Sequence, residues 1–415
     1  SIDMELQALG EKLMRNKRGS IVMIEPETGE VLCMVSSPTY DPSLLVGRQR
    51  GKNHVMLAKN SDTPLLNRAI MGKYPPGSTF KPTQALTFLQ EGVITTETLY
   101  TCAHGYTGSR NGKPACHGHA SPLNVTYALA TSCNSFFCWG LRDMIDSRKR
   151  YPNVEEAFEV WKDYLVSMGY GYQLGVDLPS EKRGFIPNSK YYDKYYSRWS
   201  SSTIISIAIG QGEVLATPLQ ICNLAATIAN RGYFVTPHVV KGIQDMPLDT
   251  LYTEKRHTMV ERKNYEIVAE GMRNAVIGGT CRGAAIPGIE VCGKTGTAAF
   301  GNAGSTLNES CCGRSTKNST CAGSNSICHQ RALDARKFSV FVEHVCLGRY
   351  TDQSSDGIKH IDKQECKHDH EELACFQNGE IQFSENRGKA WNGKSVGKIR
   401  EQAVEAVCRV RNVET

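Results

Sequence analysis

Tyr74-Pro75-Pro76-Gly77-Ser78-Thr79-Phe80-Lys81-Pro82 is the stretch on which the rest of the chain depends. Two prolines and a glycine make a stiff turn that cannot continue as helix. Behind it, residues 83–90 read as a buried helix. Ser78 therefore falls at a helix start, where free N–H groups and the positive end of the helix dipole gather. Pro82 falls in the first turn, where a missing N–H costs least. Ser78 and Lys81 are three residues apart and share one helix face. A serine hydroxyl is a poor nucleophile until a base takes its proton. A lysine kept neutral by burial or by a second cation is such a base. Taken alone, the pair equally describes a helix cap beside a surface lysine.

Two later motifs change that balance. Ser132-Cys133-Asn134 interrupts two helical stretches, 123–130 and 135–145. A turn between helices presents the Ser132 and Asn134 side chains to a cleft. The hydroxyl can pass a proton between Lys81, a leaving group and Ser78, and the amide can donate and accept. Lys294-Thr295-Gly296-Thr297 follows a short strand over 288–292. Lys294 supplies a cation that keeps Lys81 deprotonated and attracts a carboxylate. Gly296 permits close backbone approach. The N–H of Thr297, with that of Ser78, can form an oxyanion hole for acyl transfer. Each motif alone is a cap or a turn; in this order and setting they point to one serine-based site.

The chain has 415 residues, 40% hydrophobic and 22% charged, which is ordinary for a globular protein with a large core. The net charge of +6 suits an anionic surface or polymer and does not demand nucleic acid. No run approaches the apolar length of a membrane span, and no stretch of this sequence reads as a leader peptide. The chain opens at Ser1 directly into a helical pattern and is expected to be a fragment of a longer protein. Residues 19–24 and 31–35 flank a Pro-Glu-Thr-Gly turn and predict a β-hairpin. Residues 154–168, 218–230 and 264–276 read as helices, and 37–63 and 177–196 as polar or irregular connections. The composite is an α/β (α+β) layout, helices clustered around a hairpin-bearing sheet. After Ala299 the texture changes to Gly, Ser, Asn and Cys with little apolar periodicity. A boundary is expected near 299, with residues 300–415 a Cys-rich tail, foreign or translated from a shifted reading frame. Only 338–342 reads there as a strand and 401–410 as a helix.

Sixteen cysteines do not settle the redox compartment. Cys102, Cys116, His119 and Cys133 make a four-ligand thiolate and imidazole set of the kind structural Zn²⁺ prefers. The competing reading is a Cys102–Cys116 disulfide or free thiols. Cys366, His368, His370 and Cys375 are better read as compositional bias, since no Cys-x-x-Cys knuckle accompanies them.

The three motifs, in order, resemble the set that marks penicillin-binding proteins and related β-lactamases. The closer likeness is to the transpeptidase domain of a class B, elongation-type penicillin-binding protein 2 of Bacteroidetes-like bacteria. Arg18-Gly19-Ser20-Ile21-Val22, Ser37-Pro38-Thr39-Tyr40-Asp41-Pro42, Ala208-Ile209-Gly210-Gln211-Gly212, Thr217-Pro218-Leu219-Gln220 and Ala229-Asn230-Arg231-Gly232 add to it. The resemblance covers roughly residues 1–298. It implies a central antiparallel sheet with flanking helices and a serine acyltransferase that cross-links peptidoglycan stem peptides. Ser78 would be the nucleophile, and β-lactams would acylate it. Lys294 and Thr295 would hold the donor's terminal carboxylate. The resemblance further implies a zinc site beside the active site, no organic cofactor and a membrane glycosyltransferase partner. It implies a place at the periplasmic face of the bacterial inner membrane. The family continues past the Lys-Thr-Gly strand into two more strands and a helix. Residues from 300 onward do not resemble that ending, so the sheet is expected to lack strands. A D,D-carboxypeptidase or β-lactam hydrolase uses the same motifs, and a non-catalytic homologue binding cell wall or zinc is the reading from another class.

Overall fold

The structure, a computed structural model, describes residues 1–109 and 112–299 and the strands Thr320–Gln330, Phe338–Cys346, Ala374–Gln377 and Glu380–Phe383. Helix α1 (Met4–Leu13) starts at Asp3, whose carboxylate accepts from the amides of Glu5 and Leu6. The predicted hairpin follows as β1 (Arg18–Ile24) and β2 (Val31–Ser37), in register from Gly19↔Ser37 to Met23↔Cys33 and shifted by one residue at Ile24↔Val31. β1 is buried along nearly all its length, while β2 alternates buried and half-buried residues. That contrast marks an inner strand and an outer one.

Helix α2 (Arg50–Lys59) lies in a stretch read as loop from the sequence. It buries only Leu57, so no apolar stripe announces it. The short α3 (Arg68–Met71) leads to the turn Gly77–Phe80 and to α4 (Lys81–Gln90). Nine of the ten α4 residues, Lys81 through Leu89, are buried, so this helix runs through the core rather than over it. Its one buried long amide is satisfied on both ends: Trp161 Nε1 donates to Gln84 Oε1 at 2.7 Å, and Gln84 Nε2 donates to the Ile207 carbonyl at 2.9 Å. Helices α5 (Val125–Ala130), α6 (Asn134–Ile145) and α7 (Val154–Ser167) close around it. Helix α8 (Ser189–Tyr195), also unread in the sequence, is capped by Asn188 and docks Tyr192 against Phe158 and Trp199.

Helix α9 (Pro218–Ala229) is buried at all twelve positions and begins with a reciprocal capping box between Thr217 and Gln220. A small ribbon, β3 (Tyr233–Val235) and β4 (Lys255–His257), precedes α10 (Arg262–Ile277). β5 (Glu290–Ala299), β6 (Thr320–Gln330) and β7 (Phe338–Cys346) then complete one antiparallel sheet in the order β2-β1-β7-β6-β5. Here the structure departs from the expectation of a sheet lacking strands: β6 pairs with the Lys294 strand, and β7, which contains the strand read over 338–342, pairs with β6 and β1. The first compact unit runs Ser1–Gly348 rather than stopping near 299. The residues of β6, Thr-Cys-Ala-Gly-Ser-Asn-Ser-Ile-Cys-His-Gln, show no apolar alternation, so pattern reading could not find them. The second unit, Arg349–Thr415, holds the hairpin β8 (Ala374–Gln377) and β9 (Glu380–Phe383). The helix read over 401–410 and the side chains of Cys366, His368, His370 and Cys375 lie outside the described residues.

Candidate active site

Ser78 sits half-buried in the turn Gly77–Phe80, one turn ahead of Lys81, the first residue of α4. Gly77 makes that turn possible. Its φ is +56°, and its N–H donates to the Gly210 carbonyl at 2.8 Å. A Cβ there would lie 2.5 Å from the carbonyl oxygen of Thr297. The Ser78 turn is thus wedged between residue 210 and strand β5. A Gly77→Ala variant adds a left-handed penalty of about 1–2 kcal/mol and a clash with backbone that cannot rotate away. We expect a lower melting temperature and at least tenfold slower labelling by a fluorescent penicillin. Both are measured on the purified chain.

Ser132 lies between α5 and α6 with φ +57°, a conformation unusual for a residue with a side chain. This places its hydroxyl between two buried amines. Lys81 Nζ donates to Ser132 Oγ at 3.2 Å, to the Ser132 carbonyl at 2.6 Å and to Asn134 Oδ1 at 2.6 Å. Lys294 Nζ donates to the same Ser132 Oγ at 2.8 Å and to the Thr295 carbonyl at 3.0 Å. Asn134 Nδ2 donates to the Ala115 carbonyl at 2.6 Å, which fixes the amide with its oxygen toward Lys81. Lys81, Ser132 and Lys294, 51 and 162 residues apart from Ser132, therefore meet at one oxygen. Among the described residues the Ser78 hydroxyl has no hydrogen-bond partner, so Lys81 is turned toward Ser132 and Asn134 in this geometry.

Both amines are completely buried and both are pushed down. Burial lowers Lys81 to about 8, against the opposing pull of the Cys133, Cys116 and Cys138 thiols. Lys294 lies well below the ordinary lysine range, first because of burial and then because of the charge on Lys81. Lys81 meets two carbonyl oxygens at 2.6 Å besides the Ser132 hydroxyl, and Lys294 meets that hydroxyl and one carbonyl.

Thr295 and Thr297 point away from the sheet's hidden face. Thr295 is half-buried, and its Oγ1 donates to Thr280 Oγ1 at 2.9 Å. Thr297 is exposed and falls out of register, between the pairs Gly296↔Ser324 and Ala298↔Cys321. A strand irregularity frees a backbone N–H from the ladder and re-aims it. Gly296 is buried within the same irregularity. Sequence reading singled out neither Thr280 nor the Ala115 carbonyl. The Gly278-Gly279 pair that ends α10 is the one local signal that a turn of consequence follows.

The four predicted ligands form a second cluster next to this one. The ligand atoms of Cys102, Cys116, His119 and Cys133 all lie within 4.8 Å of one another. The thiols are unbonded, with Cys116 and Cys133 Sγ 3.8 Å apart. Cys133 caps α6 by accepting the Phe136 amide, and Cys116 Sγ accepts the amides of Asn134 at 3.0 Å and Ser135 at 3.2 Å. The Cys116 thiol is held below its ordinary value, first by the Cys133 thiol and then by the Ser135 amide. His119 Nδ1 meets the Ala120 carbonyl at 2.9 Å, while its buried Nε2 has no hydrogen-bond partner.

Residues 19–320 match the family described as the penicillin binding protein transpeptidase domain. Among curated proteins, the chain is 33% identical to the peptidoglycan D,D-transpeptidase MrdA of Acinetobacter baumannii over 311 residues. That match covers 72% of this chain and 44% of the relative. It is also 33% identical over 247 residues to MrdA of Escherichia coli K12, covering 58% of this chain and 37% of the relative. The chain thus spans roughly two-fifths of the length of these relatives. Among solved structures, Pseudomonas aeruginosa PBP2 in complex with WCK 5153 superposes with a TM-score of 0.66 at 27% identity, over 83% of this chain and 73% of that one. PBP2 from Helicobacter pylori in complex with MreC superposes with a TM-score of 0.63 at 26% identity, over 83% and 59%. With the three motifs converging in the order that the family carries them, the chain belongs to the penicillin-binding protein transpeptidases, in the elongation-type PBP2/MrdA branch.

Proposed function

We propose that the chain is a D,D-transpeptidase that cross-links peptidoglycan stem peptides through an acyl-enzyme on Ser78. The observation that carries this reading is the Ser132 hydroxyl, reached by Lys81 Nζ at 3.2 Å and Lys294 Nζ at 2.8 Å beside the nucleophile's turn. The donor's terminal carboxylate enters near Lys294 and Thr295 and favours the charged form of Lys294. That second charge drives Lys81 toward its neutral form, and neutral Lys81 takes the Ser78 proton. Ser78 Oγ then attacks the D-Ala–D-Ala carbonyl, and the oxyanion is held by the amides of Ser78 and Thr297. Ser132 relays to the departing D-alanine amine the proton that Lys81 has taken: its hydroxyl gives one and is refilled from Lys81. An amine of a second stem peptide then takes the acyl group and restores Ser78. β-Lactams acylate the same oxygen and stop there. Intact mass after penicillin treatment tests the reading: one adduct on the folded chain is expected, and none overturns it. A long-lived adduct separates the transpeptidase from a hydrolase, which turns the drug over.

The Cys102, Cys116, His119 and Cys133 cluster fits a structural Zn²⁺, on the strength of its two-element donor set and the partnerless His119 Nε2. Bound there, the ion supplies no chemistry to the substrate and ties the loop holding Cys102 and Cys116 to the Ser132–Asn134 turn. One zinc per chain is expected by elemental analysis, with chelation lowering the melting temperature. Absence of zinc together with a Cys102–Cys116 disulfide removes this assignment. In the whole protein, the domain acts at the periplasmic face of the inner membrane with a glycosyltransferase of the elongation machinery. One structural relative is a peptidoglycan synthase complex that coordinates polymerization and crosslinking. Among the described residues no helix is long and apolar enough to cross a membrane.

A further inference from the structure

We propose that Thr280 is a positioning residue of the carboxylate subsite, one that sets the Thr295 hydroxyl for its substrate. This rests on the acyltransferase reading above. Thr280 follows the Gly278-Gly279 pair at the end of α10 and is exposed, so it has no packing duty to explain its contacts. Those contacts are specific. Its Oγ1 accepts the Thr295 Oγ1 proton at 2.9 Å, and its own hydroxyl donates to the Ala130 carbonyl at 3.4 Å. Its N–H donates to the same carbonyl at 3.0 Å. Ala130 ends α5, two residues before Ser132. Thr280 is therefore a clasp between the Lys-Thr-Gly strand and the helix that carries the Ser132 turn.

The clasp is built to switch donors without moving heavy atoms. Thr295 has one hydroxyl proton, and in the structure Thr280 takes it. An arriving carboxylate accepts only, so it claims that proton. Thr280 then rotates its own O–H from Ala130 to Thr295 Oγ1. The Ala130 carbonyl is not left bare, because the Thr280 amide still serves it at 3.0 Å. Two hydroxyl rotations suffice, and no proton changes its heavy atom. Thr295, branched at Cβ, would otherwise be free to turn its methyl toward the carboxylate. Thr280 selects the rotamer that presents oxygen.

The test compares acylation rate constants for benzylpenicillin and for its methyl ester, which lacks the anionic group. Thr280→Val keeps shape and removes the hydroxyl; Thr280→Ser keeps the hydroxyl. With the free acid, Thr280→Val is expected to be slower by about tenfold, the scale of one charge-assisted hydrogen bond, and Thr280→Ser to stay near the wild type. With the ester, both variants are expected to match the wild type. Added to Thr295→Val, the Thr280→Val change is expected to cost nothing more. Equal losses on acid and ester, or no loss on either, overturn the assignment. A lowered melting temperature with equal losses makes Thr280 a structural residue. Failure of the wild type to acylate at all instead overturns the transpeptidase reading, so the two failures are told apart.

Discussion

Ser78→Ala is expected to abolish the penicillin adduct and to lower any stem-peptide turnover by on the order of a millionfold, the scale of losing a serine nucleophile. The structure explains why nothing nearby compensates. Ser132 accepts from both Lys81 and Lys294 and lies in a left-handed turn between two helices. Thr79, the adjacent hydroxyl, is buried and donates to the Pro76 carbonyl at 2.6 Å. The variant is expected to fold, since Ser78 is half-buried, its hydroxyl makes no hydrogen bond among the described residues, and the bond its carbonyl accepts from the Lys81 amide survives in alanine. Intact mass spectrometry and a melting curve check both halves. An adduct that persists in folded Ser78→Ala protein would place the nucleophile elsewhere.

Lys81→Met is expected to slow acylation by about 10²- to 10⁴-fold, the range for a positioned general base. Lys81→Arg is expected to do no better, since a guanidinium stays protonated and cannot take the serine proton. The wild-type rate carries a pH signature with a definite sign. Burial lowers Lys81 to about 8, and only the neutral amine is the base. Acylation therefore rises as pH climbs toward about 8 and levels above it; below, it falls by about tenfold per unit. The pair of amines titrates together once a substrate charge arrives, so the midpoint belongs to the pair. Stopped-flow acylation across pH 5.5 to 10 measures it, with the range chosen to span the ordinary lysine and histidine values. A flat profile, or Lys81→Arg at wild-type speed, removes Lys81 as the base.

Much of the site was legible because chemistry forces residue types into short windows. Ser78 to Lys81 spans one turn, Ser132 to Asn134 one connection, and Lys294 to Thr297 one strand end, so each could be found locally. The helix that begins at Lys81 carried a signal too, with Pro82 in its first turn. What escaped was tertiary. Which oxygens each amine meets, two carbonyls and a hydroxyl for Lys81 and one carbonyl and the same hydroxyl for Lys294, is set by tertiary packing that no spacing shows. Thr280 is defined by a partner fifteen residues on and another 150 residues back. Helix α2 buries a single side chain, and β6 draws its place from backbone pairing rather than from an apolar face. The expectation of a shortened sheet came from judging residues after 299 by pattern alone, where pairing with β5 and β7 decides.

One consequence follows from the way α6 begins. Oxygen usually caps a helix, but three of the opening amides of α6, those of Asn134, Ser135 and Phe136, are taken by sulfur. An oxygen cap is chemically inert; a thiol is not, and climbs a ladder of oxidised forms with different size and charge. The helix that presents Asn134 to Lys81 thus hangs from atoms that an oxidant or an alkylating reagent can alter. An oxidant or alkylating reagent that reaches Cys116 or Cys133 is therefore expected to act on the support of Asn134 and leave Ser78 itself untouched.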